Sequence, residues 1–212
     1  TWDWDKIVII DTENWSADLY SNLWGYNVYP LKAPFTPESY IKAIKECELA
    51  WMEVIIIDST THEWDWAGWY IEMSDALWQR KYKGNSWAAK SETKPRHTKF
   101  IDAMIHSSAH IIATVRSKTE TIQVDWKVKK IWMKDIQADW FEHEFTVFFN
   151  IERDEHYATA SKDRTNLFID SDPFIISQDT WRKLLEWNQS WAEPNNSEDN
   201  DEDDFDSLAN QL

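Results

Sequence analysis

Val54-Ile55-Ile56-Ile57-Asp58 is four β-branched apolar residues in a row, closed by a carboxylate. The run has no polar alternate, so it reads as a strand covered on both faces, the habit of parallel sheets. Two more segments repeat the pattern. Lys6 to Ile10 runs into Asp11, and His110 to Val115 forms a third buried strand. Between the first two, Thr36-Pro37 opens a helix, with threonine as N-cap and proline at the first helical position. Tyr40, Ile41, Ile44 and Cys47 give that helix one apolar stripe. A second helix is expected over residues 96–107, carrying Phe100, Ile101, Met104 and Ile105. Strand, helix, strand, helix, strand means an α/β fold, a mainly parallel sheet flanked by helices.

Further out the signals weaken. Tyr26 to Leu31 is a fainter strand, and residues 59–94 form a long polar stretch. Residues 120–161 read as mostly β: a hairpin around Asp125, then strands near 144–151 and 156–160. This is a C-terminal β-rich extension. Gln178 to Gln189 closes the ordered part as an amphipathic helix with Leu184, Leu185 and Trp187.

The chain has 212 residues, 42% of them hydrophobic, enough for one ordinary core. No apolar run approaches the roughly 18 residues of a membrane span, and no signal peptide is visible. Cys47 is the single cysteine, which excludes an internal disulfide and points to a reducing cytoplasm. The first residue is Thr1, so a fragment or a processed chain is expected. The net charge of −16 is uneven: eight acids and no Lys or Arg follow from Glu193. Residues 193–212 are therefore expected to be a disordered acidic tail, and 1–192 the folded core.

Three glycines against 16 tryptophans is an inverted ratio. Many tryptophans sit where glycine chemistry is wanted. Asp125-Trp126 lies between two alternating strands, where Asp-Gly makes a hairpin turn. Trp51 lies between a helix and a strand, the place of a left-handed C-cap glycine. Asn14-Trp15, Trp24-Gly25, Asp65 to Trp69 and Asp139-Trp140 read alike. Keeping Trp64, Trp87 and Trp187 and returning the other 13 to glycine restores an ordinary glycine share, close to ~7%. This pattern fits a recoded genome in which UGA means glycine but was translated as tryptophan. UGG codons at those positions would instead favour a Trp-rich, non-catalytic binding module for carbohydrate or a protein partner.

Three constellations carry chemistry. Asp58, at the C-terminal end of its strand, stands where α/β sheets bind ligands, and can hold a magnesium water shell beside a nucleotide. Ile9-Ile10-Asp11-Thr12-Glu13 ends another strand in carboxylates. Glu13 there can activate a water as base, or Asp11 and Glu13 can simply cap the next turn. Lys162-Asp163-Arg164 places two cations on one side of an extended backbone, suited to a phosphate or to an exposed charged turn.

Together the stretches IVIIDTENWSADLY, EVIIIDSTTHEW, KGNSWAA, HIIATVRSKTE and ATASKDRTNLF resemble the RecA-like P-loop ATPases of phage single-strand recombination, often labelled AAA-family ATPases. The resemblance spans about Lys6 to Trp187 and implies a RecA-like P-loop NTPase core that binds ATP with Mg2+. It makes Asp58 the magnesium-side carboxylate and Glu13 the catalytic glutamate. Thr114 and Arg116 would end the sensor strand. Lys162 and Arg164 would match the paired cations offered to a neighbouring subunit's γ-phosphate. Implied partners are single-stranded DNA, further copies of the chain and other recombination proteins, with no membrane, in the cytoplasm of a bacterial host cell.

One departure is large: no GxxxxGK[ST] loop occurs in the chain. In the family it precedes the IVIIDTEN strand, so N-terminal truncation is the expected cause. Residues 116–134 carry Arg116, Lys118, Lys127, Lys129, Lys130 and Lys134 against Glu120 and Asp125, a local +4 in an acidic chain. This hairpin follows the sensor strand, where RecA-like proteins place a DNA-binding loop, and Lys118, Lys127, Lys129 and Lys130 are candidate phosphate contacts. A solvated hairpin is the plain alternative. The acidic tail is a candidate competitor of DNA for the same hairpin.

Overall fold

The structure, a computed structural model, describes residues 3–65, 70–124 and 127–190, without the side chains of 119–133. The turn at Asp125-Trp126, Trp66 to Trp69 and the acidic tail thus lie outside the described residues. The chain falls into two compact units, Thr1–Phe145 and Thr146–Leu212.

The first unit is built on a parallel sheet of β1 (Ile7–Asp11), β2 (Asn27–Pro30), β3 (Val54–Asp58) and β4 (His110–Ala113), in the order β2-β1-β3-β4. The expected strands are all present. Their burial departs from expectation in two respects: β4, expected as a buried strand, has His110 exposed and Ile111 to Ala113 only half-buried, as suits an edge strand, and the faces of β1 and β3 differ. Val8, Ile10, Ile55 and Ile57 are fully buried, but Ile7, Ile9, Val54 and Ile56 are only half-buried. Among the described residues one face of the sheet is thus core and the other only partly covered.

Helix α1 (Pro37–Leu49) begins as its cap predicts: the Thr36 hydroxyl accepts from Ser39 N at 3.1 Å. It buries Tyr40, Ala43, Ile44 and Cys47, while Ile41 is half-buried. The polar stretch 59–94 is not a loop. It holds α2 (Thr61–Trp64), α3 (Tyr70–Arg80) and the first turns of α4 (Ser86–Ile105). Helix α4 starts ten residues before the expected one because Asn85 caps it, accepting from Ala88 N at 3.1 Å. The helix then continues through Pro95, giving up one backbone hydrogen bond. Its Phe100 ring packs on Tyr40 of α1, centroids 4.9 Å apart. Strands β5 (Ser117–Val124) and β6 (Lys127–Asp135) then pair as the expected antiparallel hairpin.

The second unit has an antiparallel sheet of β7 (Val147–Ile151), β8 (Tyr157–Asp163) and β9 (Phe174–Ile175), followed by helix α5 (Gln178–Ser190). Phe149, Phe168 and Phe174 form its aromatic cluster, with centroids 5.1 to 5.5 Å apart.

The backbone sorts the glycine-like tryptophans. Trp15 (φ 70°) and Trp51 (φ 59°) are left-handed, as expected. Trp140 is right-handed at φ −95°, and Trp24 is not left-handed either; it stacks on Trp4 at 5.0 Å. At Trp51 the whole Schellman motif is present: Met52 N donates to Cys47 O at 3.1 Å and Trp51 N to Glu48 O at 2.9 Å. The indole itself is 79% exposed and packs little. Relief of left-handed strain, ~1–2 kcal/mol, exceeds the added chain entropy of glycine, ~0.5–1 kcal/mol. Trp51→Gly should therefore raise the melting temperature. Trp140→Gly, at a right-handed site whose ring meets His97 edge-on at 5.5 Å, should lower it. Thermal melts of both variants check this, and a lowered Tm for Trp51→Gly would overturn the strain argument.

Candidate active site

Parallel pairing brings three strand ends together. Asp11 lies opposite Asp58, and Ile57 opposite Ala113. The residues that follow, Glu13, Ser59 and Thr114, therefore emerge at one end of the sheet. Thr114 Oγ1 donates to Asp58 Oδ1 at 2.7 Å. Glu13 Oε2 pairs with the Arg116 guanidinium, and Oε1 accepts from Ser59 Oγ at 3.1 Å. The structure thus gathers Glu13, Asp58, Thr114 and Arg116 around one spot.

It also separates two carboxylates that look alike in sequence. Asp11 is buried and turned to the backbone, accepting from Glu13 N at 2.7 Å and Ala17 N at 3.2 Å. It caps the turn after β1. Glu13 does not; its carboxylate faces the side chains of the site.

Residues missed by pattern reading complete the site. Ser59 to Glu63 are polar yet fully buried. The peptide joining Asp58 to Ser59 is cis. Thr60 N and Oγ1 both donate to Thr114 O at 3.0 Å, and Thr61 Oγ1 accepts from Arg116 N at 2.8 Å. Ser59 N donates to Thr12 Oγ1 at 2.8 Å. Gln137 Nε2 donates to Thr60 O at 3.2 Å. These bonds tie the ends of β1, β3 and β4 into one unit. The available signal was five hydrogen-bonding side chains, Ser59-Thr60-Thr61-His62-Glu63, directly after a buried strand. A solvated loop does not need that run.

His62 sits between Thr12 and Glu13. Its Nδ1 is 2.8 Å from Thr12 Oγ1 and its Nε2 3.6 Å from Glu13 Oε1. Phe35 stacks on the ring at 5.0 Å and 26°. Burial holds the imidazole below its ordinary pKa, against the upward pull of the Glu13 carboxylate, which favours the neutral ring. Behind it, Glu63 and His97 form a buried pair, Oε2 to Nδ1 2.8 Å, and burial raises the Glu63 carboxyl above the usual range.

A cavity of about 310 Å³ opens beside Glu13, lined by the segments after β1 and β2 together with His62 and Arg116. Asp58 and Thr114 do not line it. For magnesium the donor chemistry fits. One Asp58 oxygen takes the Thr114 hydroxyl, and Oδ2 makes no hydrogen bond among the described residues. Such a site suits a cation that keeps most of its waters. For the phosphates the chain contains no glycine-rich cradle.

Lys162 and Arg164 belong to the second unit. Lys162 pairs with Phe148, and Arg164 N continues that pairing to Thr146 O at 2.9 Å. Asp163 between them folds the next turn, accepting from Thr165 N at 2.7 Å, Phe168 N at 2.7 Å and Ile169 N at 3.2 Å. Of the hairpin cations, Lys118 is exposed on β5, while Lys127, Lys129 and Lys130 lie on β6 with side chains outside the described part.

No helix among the described residues is long and apolar enough to cross a membrane. No curated protein and no solved structure matches the chain. The family model described as an AAA domain matches residues 2–194. With nearly the whole chain matched and three parallel strand ends converging on paired carboxylates, the chain belongs to the AAA domain family, of P-loop ATPase type.

Proposed function

We propose that this chain carries the water-activating and magnesium-side half of a RecA-like, DNA-directed ATPase of phage recombination, working as an oligomer. The observation that carries the reading is the convergence of Glu13, Asp58 and Thr114 at adjacent strand ends. Glu13 takes the proton of the attacking water. Asp58 holds the magnesium water shell, and Thr114 orients Asp58. Magnesium, when bound, neutralises phosphate charge. Lys162 and Arg164 serve a neighbouring subunit's γ-phosphate. The basic hairpin, with Lys118 on β5 and Lys127, Lys129 and Lys130 on β6, contacts single-stranded DNA.

The phosphate loop, in this reading, comes from outside these 212 residues. The arrangement of the sheet supports that: β4 is an edge strand with one side unpaired among the described residues, and open edges invite a further strand. The test is calorimetric titration with ATP. The chain alone should bind ATP weakly or not at all. A form carrying a phosphate loop and its strand should bind it in a magnesium-dependent way, and Asp58→Ala should remove that dependence. Tight binding by the 212 residues alone would show the phosphate cradle to be misplaced.

A further inference from the structure

We propose that His62 is a positioning residue for Glu13, carrying its proton on Nε2 and turning that N–H toward Glu13 Oε1. This rests on the reading of Glu13 as the water-activating base. The argument starts at the Thr12 hydroxyl. Its oxygen accepts from Ser59 N at 2.8 Å. Its own proton has three acceptors within reach: Asp58 O at 3.0 Å, Ser59 O at 3.3 Å and His62 Nδ1 at 2.8 Å. Asp58 O already takes Thr12 N–H at 2.8 Å, and Ser59 O already takes the Tyr40 hydroxyl at 2.9 Å. The shortest path, to Nδ1, is therefore the favoured one. A neutral imidazole that accepts at Nδ1 must carry its hydrogen at Nε2. The opposite tautomer would set an Nε2 lone pair against the Glu13 carboxylate, 3.6 Å away.

The ring cannot easily turn out of this position. Phe35 covers one face, and the side chain is only 4% exposed. At 3.6 Å the Nε2–H to Glu13 contact is longer than a hydrogen bond; such contacts often tighten only when substrate is in place. Oε1 then faces two donors, the Ser59 hydroxyl and His62 Nε2–H. Oε2 is held by the Arg116 guanidinium, so both oxygens of Glu13 are oriented by neighbours. His62 thereby helps fix the plane in which the Glu13 carboxylate meets the water.

The tautomer is directly observable. A long-range ¹H–¹⁵N spectrum of the labelled chain should show His62, identified by the peak lost in His62→Gln, with its proton on Nε2. Glu13→Gln should shift that signal. An Nδ1–H tautomer, or a His62 signal indifferent to Glu13→Gln, would overturn the proposal by itself. In a form with a phosphate loop, His62→Ala should lower turnover on the order of 10- to 100-fold with ATP affinity retained. His62→Gln, whose amide can donate from nearly the Nε2 position, should recover most of it. Equal losses in the two variants would also overturn the donor role. Unchanged turnover in Glu13→Gln would overturn the base assignment and this proposal with it, a failure distinct from a wrong tautomer.

Discussion

Glu13→Gln is expected to lower ATP turnover by about 10²–10⁴-fold while leaving ATP affinity nearly intact. Glutamine keeps the shape of the side chain and can still accept the Ser59 hydroxyl that now reaches Oε1 at 3.1 Å. It cannot accept a proton from water, and it cannot form the ion pair with Arg116. Loss of a base acts on the chemical step and not on phosphate binding, so kcat should fall and Kd should not. Phosphate release at saturating ATP, in a form carrying a phosphate loop, measures the first; titration measures the second. Asp11→Asn is the sensitive contrast. Asp11 serves two backbone amides, so that variant should act on stability and the turn after β1. A mutant of Asp11 that loses turnover without losing stability, beside a fully active Glu13→Gln, would reverse the two assignments.

The largest effect on stability is expected at the Glu63–His97 pair. His97→Phe keeps an aromatic ring among Trp64, Tyr70, Phe100 and Trp140, which surround the imidazole at 5.1 to 6.4 Å. It costs nothing at Nε2, a buried atom without a hydrogen-bond partner among the described residues. At Nδ1 it removes one of the partners of a wholly buried carboxyl, leaving Gln137, and breaking a buried pair from one side costs about 3–5 kcal/mol. Glu63 can lessen that cost by staying protonated, since burial already raises its pKa above the ordinary 4.5. The sign of the pH dependence follows. The folded chain then keeps a proton that the unfolded chain releases, so stability should fall as pH rises above about 4.5, until the folded pKa is passed. Urea unfolding of Glu63→Met, His97→Phe and the double variant closes the cycle. Recovery of most of the loss in the double variant is expected, because an apolar pair needs no compensation. Additive losses would mean that the two residues act separately.

The sheet was legible because β1 and β3 are β-branched runs with nothing polar inside them and Ile111-Ile112 repeats the habit more briefly in β4, and α1 because Thr36-Pro37 announces its first turn. Two things misled. Pro95 is a helix breaker by rule, yet α4 runs through it, anchored at one end by the Asn85 cap and at the other by Phe100, Ile101 and Met104. Packing outweighed one missing hydrogen bond. Helix α3 buries only Tyr70 and Ser74 among its described residues, so it shows little apolar stripe to read. In the site, Asp58 follows from its strand. Glu13 and Asp11 could not be told apart, because both end the same strand and only the turn geometry sends one carboxylate to the backbone and the other outward. His62 was invisible for a different reason. A histidine has no period, and its importance rests on Thr12, which lies 50 positions away in the chain.

The pairing of β1 with β3 meters the chemistry by counting. Five consecutive residues of one strand sit opposite five of the other, from Ile7 beside Val54 to Asp11 beside Asp58. An extra residue within Val54–Ile57 would either carry Asp58 past Thr114 or swing the isoleucines on the other side of it out of the core. The same insertion in the segment joining α3 to α4 would leave both distances untouched. Lineages of this chain can therefore lengthen or shorten their helical connections freely, while the reading length between the first core isoleucine and the acidic residue stays a fixed number. The ruler is the strand, and the loops around it are free to drift.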